Sequence, residues 1–125
     1  MRDLRAFQRA EPLYLELVSK YGPMEPAVVR LAHAMELLAQ GCHSYHATEK
    51  VSHYIAAREE AAVAVTNLLL GAPADNGERI ELSARLEQEV LPAIGGLIRG
   101  AERRGRQRRF DLAVGGVLGQ RRRGN

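Results

Sequence analysis

The sequence predicts an all-α protein, an antiparallel three- or four-helix bundle carrying a Gly/Arg-rich C-terminal arm. Three observations carry that reading. Ala and Leu together number 34 of the 125 residues against 15 for Val, Ile and Thr, a balance that suits helix rather than strand. Apolar residues recur three or four positions apart as far as Val90, which is the period of one helix face. The charge then changes sign along the chain. Residues 1–98 hold nine Lys and Arg against thirteen Asp and Glu, a net of −4. Residues 99–125 hold nine arginines against Glu102 and Asp111, a net of +7. Glycine shifts at nearly the same place, with eight of the twelve in the last 31 residues. A composition break near Pro92 divides the sequence into an acidic helical bundle over 1–91 and a basic arm over 92–125.

The first apolar series is Leu4, Phe7, Tyr14, Leu17, Val18 and Tyr21, with Ala10 between. It runs through Pro12, which lacks an N–H and is expected to kink or restart the helix. Tyr21-Gly22-Pro23 ends it, because Gly takes a left-handed C′ position and Pro cannot continue. Pro26 opens the second helix where a missing N–H costs nothing, and the stripe Val28, Leu31, Met35, Leu38, Cys42, Tyr45 follows. Gly41 either caps this helix or lies inside a longer one at a cost of about 1 kcal/mol relative to Ala. Beyond Tyr45 the apolar face drifts towards Val51, Ile55, Ala62, Val65 and Leu69, which points to two helical pieces. Gly71-Ala72-Pro73 closes that section. Asp75 and Glu78 have capping-box spacing, with Asp in place of Ser or Thr. The last bundle helix is expected from about Asn76 to Leu91, packing Leu82, Leu86 and Val90.

Six aromatic residues and no Trp make a thin, aliphatic, Ala-rich core. Such stripes can be completed by a second copy, so a homo-oligomer is expected. In the arm, Ala93-Ile94-Gly95-Gly96-Leu97-Ile98 is echoed by Ala113-Val114-Gly115-Gly116-Val117-Leu118, two copies being too few for a solenoid. Gly115-Gly116 sits between apolar runs. Paired glycines penalise a helix more than a turn, so a short β-hairpin at 109–122 is the expectation.

Two groups of residues are candidates for chemistry. If residues 42–53 are helical, Cys42, His46, Glu49 and His53 project within about 60° of one another, and all are metal-binding types. They also span about 16 Å of axis, so one helix offers an ion only two neighbours. Glu-x-x-His and His-Glu-x-x-His motifs are absent. The stripe therefore reads as a core cysteine with boundary histidines, and no metal or cofactor is expected. A metal-binding bundle on those four residues is the alternative function. Catalytic signatures are missing as well: there is no Gly-x-Ser-x-Gly, no phosphate loop and no dinucleotide fingerprint. A non-enzymatic role is expected.

The second group is Arg99, Arg103, Arg104, Arg106, Arg108, Arg109, Arg121, Arg122 and Arg123. Arginine makes planar, forked contacts with phosphate oxygens and keeps its charge at every physiological pH. Nine arginines and no lysine in 27 residues form the electrostatic footprint of a polyanion-binding segment. Nucleic acid is the leading expected partner, held by its backbone, as in a packaging, nucleoid or small virion-type component. An anionic membrane surface or an acidic protein surface would meet the same charge. A single cysteine suits a reducing compartment, cytoplasmic or within an intracellularly assembled particle. The early charges Arg2, Asp3, Arg5 and Arg9 speak against a signal peptide, and the longest apolar stretch, 61–72, is too short to span a bilayer.

Overall fold

Small residues at helical spacing set how closely these helices approach. The computed structural model describes residues 4–75 and 77–123, with side chains as far as Val114 apart from Ala74. Its elements are α1 (Arg5–Tyr21), α2 (Pro26–His43), α3 (Ala47–Leu70), a 3-10 turn (Ala72–Ala74), α4 (Glu78–Arg85), a π turn (Leu86–Val90) and α5 (Leu91–Arg123). Short connections make successive rods antiparallel. The last rod is α4 and α5 joined through the π turn, and the four rods form a helical bundle. No helix among the described residues is long and apolar enough to cross a membrane.

α3 is central, packing on α2, α4 and α5, while α1 closes the bundle against α2 and α5. The core joins Leu13, Leu17, Leu31, Leu38, Leu68 and Leu86 with alanines such as Ala10, Ala34, Ala57 and Ala61, all essentially without exposed surface. The alanines bury little area each but bring backbones together. Gly41 takes this furthest. A methyl group there would lie 2.5 Å from Tyr54 Cε1, so α2 and α3 touch through a bare backbone.

α1 is a single helix through Pro12, whose ring lies on the exposed face. The second and third helices are separate, as the drifting stripe suggests, but the break falls at residues 44–46 rather than at Gly41. Ser44 Oγ donates to the Gln40 carbonyl at 2.8 Å, and Lys50 Nζ donates to the carbonyls of Gly41 and Cys42 at 3.1 and 3.0 Å. A side chain from α3 thus closes the end of α2, with its positive charge at the negative end of the helix.

The turn into α4 is built on Asp75. Its carboxylate accepts from the N–H groups of Gly77 and Arg79 at 3.0 and 3.2 Å, while Gly77 takes a left-handed φ of 90°. Glu78 does not complete the capping box; it lies 3.7 Å from Lys20 instead. The expected helix start at Asn76 lies outside the described residues.

Two expectations for the C-terminal part are overturned. Residues 109–122 are helical, not a hairpin, because the chain enters them already wound as α5 and the glycine pair lies inside that helix. Nor does the core end near Pro92. Ile94, Ile98 and Ala101 are 0%, 6% and 0% exposed, so the bundle's core runs well into the basic segment. Pro92 is absorbed by the π turn just before it, where the Leu91 N–H reaches back to the Leu86 carbonyl. That wider turn makes room for a ring that would collide with an α-helical carbonyl.

Candidate functional site

The buried series Ile94, Ile98, Ala101, Gly105 fixes how α5 is rotated. At about 100° per residue, Arg99, Arg103 and Arg106 then fall within about 60° of one another on the side turned to solvent, with Phe110 continuing the row. All four are exposed. Arg104, Arg108 and Arg109 instead flank the buried series. Gly105 is buried, and a methyl there would lie 2.9 Å from the Ala47 side chain, so α5 runs close to the start of α3. Arg106 and Arg109 line the cleft of about 270 Å³ that remains between these helices, with Ala47, Val51 and Ala101 at its base. Arg108 stacks over the Tyr45 ring at 5.3 Å and donates to its hydroxyl at 3.4 Å. That contact holds the Tyr45 phenol below its ordinary pKa, first through the hydrogen bond and then through the guanidinium charge.

Three glycines lie beside these arginines. Gly95, Gly100 and Gly105 each precede an arginine by four residues. Methyl groups at those glycines would lie 3.4, 3.3 and 3.6 Å from a guanidinium nitrogen of Arg99, Arg104 and Arg109. Each guanidinium thus lies back along the helix beside a glycine, at a distance where a methyl group would be in near-ordinary contact. This Gly-x-x-x-Arg pattern, three times at a period of five, is visible in the sequence but passes unnoticed inside a segment read as an arm.

The bundle's own arginines divide: Arg5, Arg9 and Arg58 have no carboxylate within ion-pair distance among the described residues, and three others do. Arg30 pairs with Glu60 at 3.1 Å, Arg85 with Glu16 at 2.8 Å, and Arg79 with Glu25 at 2.6 Å. Glu16 is held below the usual carboxylate range, chiefly by its hydrogen bond from Arg85. Among the described residues, none of the six arginines from Arg99 to Arg109 lies within ion-pair distance of a carboxylate. Arg121, Arg122 and Arg123 continue α5, and their side chains lie outside the described residues.

Sequence reasoning left Arg5 and Arg9 in the acidic body. The structure brings them beside Arg99 in a cleft between α1 and α5 of about 420 Å³. Their i, i+4 spacing was the available signal, but the neighbouring helix was not.

The metal stripe does not assemble. The helix assumed over 42–53 is interrupted at 44–46, which separates Cys42 at the end of α2 from Glu49 and His53 on α3. His53 Nδ1 lies 2.8 Å from the Glu49 carbonyl, which can only accept, so that nitrogen carries a proton rather than a free lone pair. Among the described residues no three His, Cys, Asp or Glu side chains gather into a metal-binding group.

No family model, curated protein or solved structure matches this chain.

Proposed function

We propose that this protein is a non-enzymatic, oligomeric helical module that binds the phosphate backbone of nucleic acid through α5. One observation carries the reading: six arginines from Arg99 to Arg109 stand exposed on one helix, with no carboxylate within ion-pair distance of any of them among the described residues. Like charges crowded on one helix repel each other and await a counter-charge from outside. Arg99, Arg103 and Arg106 form an outward row about 10 Å long, at 1.5 Å per residue, on a helix anchored by its opposite face. Such a row contacts phosphates and carries no reading of base edges. Beyond Arg109 the helix leaves the bundle, and Phe110 and Leu112 are 63% and 68% exposed, which supports assembly with further copies.

The test compares intact protein with an Arg99→Gln, Arg103→Gln, Arg106→Gln variant on a fluorescein-labelled DNA duplex. At up to about 1 kcal/mol per solvent-exposed contact, the variant should bind roughly thirty- to a hundredfold more weakly while keeping its helical circular dichroism. Binding equal to the parent would remove the outward row from the function.

A further inference from the structure

A cleft between α1 and α5 gathers three arginines, two of them from the segment that the charge pattern assigns to the acidic body. Arg5 and Arg9 enter from α1 and Arg99 from α5, above a floor of Ala93, Gly96 and Leu97. A methyl group at Gly96 would meet nothing within 4 Å, so the floor is open above that glycine. Arg99 Nη1 lies 3.4 Å from where a methyl on Gly95 would be, so this guanidinium lies back along its own helix. Arg9 Nη1 makes a long contact of 3.5 Å with the Glu89 carbonyl, inside the π turn, which holds Arg9 at the cleft wall. Among the described residues, Arg5, Arg9 and Arg99 have no carboxylate within 4.0 Å.

Three guanidinium-bearing side chains from two helices line one cleft over a small apolar floor, with no carboxylate within ion-pair distance among the described residues, and suit a tetrahedral oxyanion. Each offers a planar fork of donors, and an oxyanion bearing several lone pairs satisfies more than one fork at once. We propose that this cleft binds one phosphodiester group of a nucleic-acid strand, clamping it between α1 and α5 while the neighbouring phosphates follow Arg103 and Arg106. The proposal rests on the nucleic-acid reading above and adds to it a fixed point, since Arg99 belongs both to the cleft and to the outward row. α1 becomes part of the binding surface, and the clamp sets where on the helix the strand begins.

The experiment uses the full chain and the fluorescein-labelled duplex, comparing Arg9→Gln with Arg58→Gln. Arg58 is an exposed arginine of α3 outside the cleft, so both variants lose one charge. Arg9→Gln should weaken binding about tenfold, as expected for one charge-assisted hydrogen bond, and lower the salt slope by about 0.9 for the lost phosphate. Arg58→Gln should stay within about twofold of the parent and keep its slope. Equal, small losses in the two variants would overturn the clamp while leaving the outward row intact. A parent protein that does not bind the duplex would overturn the nucleic-acid reading itself and the clamp with it. Binding to vesicles containing phosphatidylserine but not to the duplex would likewise exclude the phosphodiester and assign the three arginines to lipid phosphate.

Discussion

Replacing Arg79 with Met should cost this bundle a large share of its stability, although Arg79 lies at the end opposite the proposed binding surface. Its guanidinium donates to Glu25 Oε1 at 2.6 Å, lies 3.7 Å from Asp75 and stacks 4.4 Å above the Tyr21 ring. It also fills the space above Gly71, where a methyl would come within 2.5 Å of Nη1. One side chain therefore ties together the end of α1, the start of α2, the exit from α3 and the start of α4. The side chains of Arg79 and Glu25 are only 11% and 22% exposed. Removing one partner of a buried pair costs about 3–5 kcal/mol, and partial exposure places this pair near the lower figure. The lost stacking on Tyr21 adds about 1 kcal/mol. The sum of about 4 kcal/mol is a quarter or more of the stability of a typical domain. With a urea slope of about 2 kcal/mol per molar, the unfolding midpoint followed by circular dichroism should fall by about 2 M. A double-mutant cycle with Glu25→Gln isolates the pair and should give a coupling of about 2 kcal/mol. A midpoint shift below about 0.3 M, or a coupling near zero, would refute the assignment of Arg79 as the tie.

Truncation tests where the core ends. Removing 110–125 should leave helicity per residue and stability unchanged and preserve duplex binding by the outward row. Removing 99–125 should destabilise the bundle by about 2 kcal/mol, at roughly 0.8 kcal/mol per uncovered carbon of Ala101 and its neighbours Ala47 and Val51; equal stability of the two truncations would contradict this packing. Tyrosine ionisation gives a second check, read by phenolate absorbance. Burial raises the Tyr21 and Tyr54 phenols, reinforced at Tyr21 by the bond it donates to Asp75, whereas Arg108 lowers Tyr45. Tyr45 should therefore ionise first, and Arg108→Gln should return it to the ordinary range. Because the folded chain holds the Tyr21 and Tyr54 protons more tightly than the unfolded chain, the stability they contribute is full below about pH 10 and is lost as pH rises through their folded values. Simultaneous ionisation of all three phenols would contradict the contacts.

Helix positions were legible wherever local chemistry decided them. Gly22, Pro26 and the Gly71-Ala72-Pro73 stop act within a turn or two, and the structure puts boundaries there. Gly41 was ambiguous because its role is not local: it gives way to Tyr54, thirteen residues on, and the break after it depends on Ser44 and Lys50. The basic segment was misread for a different reason. Charge and glycine content describe surface and backbone freedom, and neither reports the core. The core signal was present as Val90, Ile94, Ile98, Ala101 and Gly105, a three-four series crossing the charge boundary without a gap, and Pro92 drew attention away from it. The arginines themselves were visible by count. Their separation into an outward row and a rim against α3, and the recruitment of Arg5 and Arg9, depend on which helices lie side by side.

The salt dependence of duplex binding by the intact protein tests the central claim most directly. One phosphate in the cleft, held by Arg5, Arg9 and Arg99, and two more along Arg103 and Arg106 make three, and each contributes about −0.9 to the log–log slope. The expected slope is about −2.7, a loss of roughly 40-fold in affinity between 50 and 200 mM salt, with little dependence on base sequence. A slope near zero, or affinity that follows base sequence rather than salt, would contradict it.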